Sequence, residues 1–159
     1  MVMKIRFIVI GKTEEEYLKH GISQYIDRIR RYVPFEYLEL PAVKNAASLS
    51  LTEQQSREQE IFMKYIRKDE TIILLDEAGK QLGSKDLAHY LNLRMLSGIK
   101  SLVFLVGGPY GFNPDMKKQA GELISLSKMT FPHQMVRLLF AEQLYRAFTI
   151  IRNEPYHHE

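Results

Sequence analysis

The stretch VFLVGGPYGF, Val103 to Phe112, joins a short apolar run to a loop that contains three glycines. The run before the glycines has no polar residue, so the sequence predicts a strand that is buried on both faces. Because glycine has no Cβ, a ligand can lie directly against the main chain of such a loop. The same pattern is also typical of a tight turn at the entrance of a helix. The residues alone leave both interpretations open.

The loop lacks the common phosphate-binding motifs. No Gly-Lys-Ser/Thr ends it, and the G-x-G-x-x-G spacing of a dinucleotide fold is absent. A nucleotide-binding protein of the doubly wound kind therefore remains an alternative that the motifs do not favour.

Strands and helices alternate along the rest of the chain. Short apolar runs predict strands over 5–10, 35–40, 71–75, 102–106 and 123–126. Capping residues predict helices that begin near Thr13, Thr52, Ser84 and Asn113, the first two through capping boxes with Glu16 and Gln55. A last helix is predicted over 135–151. This order predicts an α/β fold with a largely parallel sheet flanked by helices. No linker or repeat divides the sequence, so we expect one domain over 1–159.

Composition narrows the class of protein. The chain has 159 residues, of which 45% are apolar, and it has no cysteine. It can bury a core without disulfides, and the absence of cysteine suits a reducing, cytoplasmic location. No apolar run approaches the length of about 18 residues that a membrane span needs. The net charge of +3 allows an anionic partner but does not by itself indicate one.

Three loops are predicted to meet at one edge of the sheet. They span 76–83, 107–113 and 127–133, and each follows a predicted strand. Ligands of open α/β sheets bind beyond the carboxyl ends of the strands. We therefore expect the binding site at this edge.

The last predicted helix is apolar on nearly all sides, which predicts burial on both sides and a homodimer with this helix in its interface. Glu142 and Arg146 stand four residues apart on it. They form either part of a site or an ordinary surface ion pair. His133, just before the helix, is either a base or a turn residue.

The chain continues as NEPYHHE, 153–159. Pro155 predicts the end of the helix, so Tyr156 and His157 project as a short tail, which is either functional or frayed. A metal site is not predicted, because neighbouring histidines of an extended tail face opposite ways and no third ligand has matching spacing.

Three motifs in this order resemble the RlmH family of SPOUT-class methyltransferases, and the likeness extends over essentially the whole chain. The motifs are VFLVGGPYGF, SLSKMTFPHQMVRLLFAEQLYRA and NEPYHHE. The resemblance implies a C-terminal trefoil knot, a homodimer and S-adenosyl-L-methionine as cofactor. It also implies methylation at N3 of a pseudouridine in large-subunit (23S) ribosomal RNA. The positions that match the family's cofactor-binding residues are Leu75, Asp76, Gly107, Gly108, Ser127, Lys128, Met129, Thr130, Phe131 and Pro132.

Methylation at N3 requires loss of a proton from the ring, which leads to a hypothesis for the remaining residues. Arg146 stabilises negative charge on the base or grips a phosphate, and Glu142 orients Arg146. His133 or His157 accepts the proton, and Tyr156 stacks on or positions the nucleotide.

An enzyme that acts on ribosomal RNA would bind its phosphates with basic side chains. The amino-terminal third is the most basic part, through Lys4, Arg6, Lys12, Arg28, Arg30 and Arg31. A chain with so small a net charge is poorly equipped to hold naked RNA, so we expect the assembled ribosome or its large subunit to be the substrate. The alternative function is a non-catalytic, ribosome-associated factor with the same fold.

Overall fold

The computed structural model describes residues 2–158, in which five strands alternate with five α-helices. The strands are β1 (Lys4–Ile10), β2 (Phe35–Leu40), β3 (Thr71–Gln81), β4 (Ser101–Val106) and β5 (Glu122–Ser125). The helices are α1 (Glu16–Ile29), α2 (Leu51–Tyr65), α3 (Ser84–Leu96), α4 (Pro114–Gln119) and α5 (His133–Ile151). The predicted alternation is confirmed.

The five strands form one parallel sheet in the order β2-β1-β4-β3-β5. In the centre, Phe7 of β1 lies opposite Phe104 of β4. Helices cover both faces, which explains why β4 is apolar from Leu102 to Val106 and β3 from Ile72 to Leu75. The predicted fold class, a parallel sheet flanked by helices, is therefore confirmed.

Two apolar cores lie on opposite faces of the sheet. On one face α1, α3 and α5 pack together on the strands, with Leu18, Leu91 and Phe140 at their centre. On the other face Phe62 of α2 and Met116 of α4 cover the sheet. Much of the wide apolar surface of α5 is thus buried between α1 and α3.

Three predicted helix caps are wrong. Thr13 does not cap α1, because its hydroxyl and amide both donate to the Glu39 carboxylate, and the helix starts after Glu15. The capping box of α2 pairs Ser50 with Glu53. Helix α3 begins after Gly83, whose amide donates to Asp86 at 2.8 Å. The remaining prediction is confirmed: the side chain of Asn113 caps α4 and is followed by Pro114.

Strand β3 is longer than predicted, because residues 76–81 extend it instead of forming the first part of a loop. Leu75 and Lys80 both pair with Ile124 of β5, so the intervening residues bulge from the ladder. A Cβ on Gly79 would lie 2.6 Å from the main chain of Leu123 and of Ile124. Strand β3 therefore contacts β5 twice, and glycine is required at its second approach.

Candidate active site

A cavity of about 830 Å³ lies at the carboxyl edge of the sheet, above β3 and β4. All three segments that were predicted to meet contribute to its walls. Seven of the expected cofactor-binding residues line it: Leu75, Asp76, Gly107, Gly108, Thr130, Phe131 and Pro132. His133 completes the wall at the start of α5. The parallel sheet thus brings together residues that are far apart in the sequence.

The other three expected residues lie to one side of this cavity. Ser127 lines a neighbouring cavity of about 490 Å³ together with Phe131 and Glu142. Met129 borders a small space of about 70 Å³ between the two. Ser127 also accepts a hydrogen bond at Oγ from the Met129 amide, at 2.9 Å, which shapes the turn. Lys128 is exposed and lies outside the walls of these three cavities.

The glycine loop presents bare main chain to the large cavity. Gly111 has φ of +69°, a conformation that side chains disfavour, and its amide donates to the Gly108 carbonyl at 3.1 Å. A Cβ on Gly107 would lie 3.1 Å from the Gly111 carbonyl oxygen. The loop is therefore both a tight turn and a surface on which a ligand can lie, so the two interpretations of the sequence are compatible.

His133 stands beside a buried cation. Burial lowers the pKa of His133, and the Arg137 guanidinium one helical turn away lowers it further, although Glu14 opposes the shift. Both effects favour the neutral imidazole. A neutral imidazole can accept a proton, which is what the proposed base must do.

Four candidate catalytic residues form one cluster at the end of α5. The Arg146 guanidinium contacts both carboxylate oxygens of Glu142, with nitrogen–oxygen distances of 3.2 and 2.7 Å. Tyr156 donates its hydroxyl to Glu142 at 2.8 Å, and its ring lies under the Arg146 guanidinium. Nδ1 of His157 lies 3.1 Å from Nη1 of Arg146. The tail is therefore attached to the helix and is not frayed over these residues.

The cluster and His133 do not share a cavity within one chain. Glu142 reaches the 490 Å³ cavity, whereas His133 lines the 830 Å³ cavity. Glu142 and Arg146 have further partners besides each other, since Tyr156 bonds to Glu142 and His157 lies within hydrogen-bond distance of Arg146.

A family model described as "Predicted SPOUT methyltransferase" matches residues 3–157. This chain belongs to the SPOUT methyltransferase family.

Two curated relatives match this chain over nearly its whole length. Both are named "Ribosomal RNA large subunit methyltransferase H". The protein from Christiangramia forsetii is 47% identical and covers 98% of this chain and 99% of its own length. The protein from Parabacteroides distasonis is 50% identical and covers 99% of this chain and 100% of its own length. Among solved structures, a probable methyltransferase from Bordetella pertussis Tohama I aligns with a TM-score of 0.57 at 10% identity, over 91% of this chain and 94% of that one. At that identity the likeness shows the fold alone.

Two buried charged residues beside the candidate site were not predicted from the sequence. Arg137 is fully buried and donates to the carbonyls of Ile10 and Gly11 and to the Thr13 hydroxyl, at 2.6, 2.9 and 2.9 Å. Glu58 is 5% exposed and accepts the Gly108 amide at 3.0 Å. The available signals were an arginine among the apolar residues of α5, and a glutamate four residues before a core phenylalanine.

The basic residues expected to hold RNA have mixed surroundings. Arg6 is buried, with ion pairs to Glu36 and Glu70, and so is unable to meet a phosphate. Lys4 pairs with Glu36 as well. The remaining expected residues, Lys12, Arg28, Arg30 and Arg31, are at least partly exposed.

Within residues 2–158, no helix is both long and apolar enough to cross a membrane. No group of three or more metal-ligating side chains is found in the same range.

Proposed function

We propose that this SPOUT methyltransferase transfers a methyl group from S-adenosyl-L-methionine to N3 of a pseudouridine in large-subunit ribosomal RNA. One observation supports the proposal above the others: curated relatives at 47% and 50% identity over their full lengths are named for methylation of that RNA. The pseudouridine and its N3 atom come from the resemblance of the three sequence motifs. The enzyme would act in the cytoplasm, where ribosomes are.

The carboxyl-edge cavity fits the cofactor in size and in chemistry. At about 830 Å³ it is large enough for a nucleoside with an amino-acid tail. Bare glycine main chain on one wall and a turn at 127–132 on the other offer amide and carbonyl groups to such a molecule. When bound, S-adenosylmethionine would supply an electrophilic methyl group on a sulfonium. Leu75, Gly107, Gly108 and Phe131 would form the walls around it.

The chain's own residues have separate tasks in this proposal. His133, whose surroundings favour the neutral imidazole, would take the proton that N3 must lose. Arg146, held by both oxygens of Glu142, would stabilise the negative charge that develops on the base. Tyr156 and His157 would position the nucleotide.

We infer that the enzyme acts as a homodimer. Partly exposed apolar side chains remain on α5 after α1 and α3 have packed on it, Leu139 and Ile151 among them. A second subunit would bury them. It would also offer a way for the Arg146 cluster of one subunit to approach the His133 cavity of the other.

We further infer that the C-terminal segment is threaded as a trefoil knot. The support is the resemblance of the three sequence motifs to the family; in this region β3 also contacts β5 twice at Ile124, with a close approach at Gly79. A knotted segment would hold the 76–79 bulge and the 127–132 turn rigidly on either side of the cofactor.

The substrate form is tested with radiolabelled S-adenosylmethionine. Assembled ribosomes, large subunits and protein-free large-subunit RNA, all from cells that lack this methyltransferase, are compared in parallel. We expect transfer to ribosomes or subunits and much less to protein-free RNA. Equal transfer to protein-free RNA would contradict the requirement for assembly, and no transfer to any of the three would contradict the proposed function.

A further inference from the structure

A buried carboxylate lies directly beneath the glycine loop. Glu58, in the middle of α2, is 5% exposed and stands on the same helical face as Gln54 and Phe62. Its Oε1 accepts the amide of Gly108 at 3.0 Å, across 50 positions of sequence. Gln54 donates to its Oε2 at 3.4 Å. A carboxylate buried in this way is stabilised by the amide that it accepts.

The carboxylate also occupies the space where a side chain at position 108 would be. A Cβ built on Gly108 would lie 2.2 Å from Oε2 and 3.0 Å from Cδ of Glu58. The Gly108 peptide is therefore in close contact with Glu58 on one side, and on the other side it faces the large cavity. Any shift of Glu58 changes the wall of that cavity.

Helix α2 supports the whole glycine loop. Gln55 donates to the Tyr110 carbonyl at 2.8 Å, and Gln59 accepts from the Asn113 side chain at 2.7 Å. These two contacts lie at or near the surface, where water can replace them. The Glu58 contact is the buried one of the three, so water replaces it least easily.

We propose that Glu58 is a positioning residue for the methyl donor: its carboxylate fixes the Gly108 peptide and thereby shapes the cofactor wall. The inference rests on the proposed function, because it assigns the large cavity to S-adenosylmethionine. Glu58 touches the loop and not the reacting atoms. It acts through the reach of its side chain, which places an acceptor under the Gly108 amide.

The surroundings of Glu58 predict a spectroscopic signature. Glu58 and Gly108 both line a second cavity, of about 660 Å³, through which the carboxyl can exchange protons with solvent. Burial raises the pKa of Glu58 above its ordinary value, although the hydrogen bonds from the Gly108 amide and from Gln54 oppose this shift. The other titratable groups around this cavity are Lys12, Glu14, Glu39 and His133. The amide resonance of Gly108 should therefore follow the titration of Glu58 in protein free of cofactor.

The test compares two conservative variants that separate reach from charge. Glu58→Asp keeps the charge and shortens the side chain by one methylene, whereas Glu58→Gln keeps the reach and removes the charge. Glu60→Asp is the matched control, because Glu60 is an exposed residue of the same helix. Dissociation constants for S-adenosylmethionine and for S-adenosylhomocysteine are measured by calorimetry. Thermal melting verifies that each variant is folded.

We expect Glu58→Asp to raise both dissociation constants alike, by roughly 15- to 150-fold, as for the loss of a hydrogen bond to a charged group. Glu58→Gln should raise them by at most about tenfold, since a neutral acceptor retains about half of such a bond. The Gly108 amide resonance should shift in Glu58→Asp and lose its pH dependence in Glu58→Gln. Glu60→Asp should change nothing.

Three results would overturn the inference. The first is wild-type affinity in Glu58→Asp. The second is a greater loss in Glu58→Gln than in Glu58→Asp, which would mean that charge matters and reach does not. The third is a loss for S-adenosylmethionine alone, which would make Glu58 a counter-charge to the sulfonium. If wild-type protein binds neither compound, the proposed function fails as well; if it binds both and the variants bind equally, only this inference fails.

Discussion

Replacing Arg137 by leucine should destabilise the protein more than any surface change. The guanidinium is fully buried and makes three hydrogen bonds to the end of β1 and the loop after it, at 2.6 to 2.9 Å, with Glu39 at 3.6 Å. Leucine leaves the carbonyl oxygens of Ile10 and Gly11 buried without that donor. Loss of one partner from such a buried, charged network costs about 3–5 kcal/mol in the free energy of unfolding. At about 2–4 °C per kcal/mol for a chain of this size, the melting temperature should fall by roughly 6–20 °C.

The assay is urea unfolding followed by far-UV circular dichroism, because the chain has no tryptophan to report by fluorescence. Arg152→Leu is the matched control, since Arg152 is exposed and lies 5.5 Å from the Tyr32 ring centroid. Its loss should cost about 0.5–1 kcal/mol. A cost below about 1 kcal/mol for Arg137→Leu would refute the assignment of Arg137 as the support that joins α5 to β1.

Three further predictions concern the site itself. Gly108→Ala should raise the dissociation constant of S-adenosylmethionine about tenfold or more, because the new Cβ would lie 2.2 Å from Glu58; unchanged affinity by calorimetry would contradict the close packing. Methyl transfer should fall as pH drops through the lowered pKa of His133, since only the neutral imidazole accepts a proton, and His133→Gln should remove this acid limb while lowering kcat about 100-fold. Arg146→Ala should lower kcat by about 100-fold or more in the same ribosome assay with little change in protein stability, and wild-type turnover would exclude Arg146 from charge stabilisation.

The sequence predicts the sheet well because burial on both faces leaves a direct signature. Strand β4 is apolar from Leu102 to Val106, and the pair Asn113-Pro114 marks the start of α4 directly in the sequence. The carboxyl-edge location of the cavity then follows from the parallel order of strands. The resemblance of the sequence motifs to a known family then indicates which residues surround this cavity.

The remainder depends on contacts that are distant in sequence. In the sequence, Arg137 is one of several polar residues in a mostly apolar helix, and no local pattern indicates that Ile10, 127 positions away, lies beside it. Glu58 looks like a solvated helix residue until the glycine loop lies above it. The extension of β3 over residues 76–81 has no apolar pattern, and its pairing with β5 is made by Lys80 and Gln81 after a bulge. Helix caps were misplaced by one or two residues; at two of them, Thr13 and Ser84, the side chain bonds to a partner distant in sequence.

The central claim is methyl transfer to a pseudouridine of large-subunit ribosomal RNA, and one measurement tests it most directly. Ribosomes from cells that lack this methyltransferase are treated with the protein and isotopically labelled S-adenosylmethionine. Their RNA is then digested to nucleosides and analysed by mass spectrometry against synthetic standards. The account predicts label in N3-methylpseudouridine from the large-subunit RNA. Label in another nucleoside, or no label when cofactor binding is demonstrated on the same sample, would contradict it.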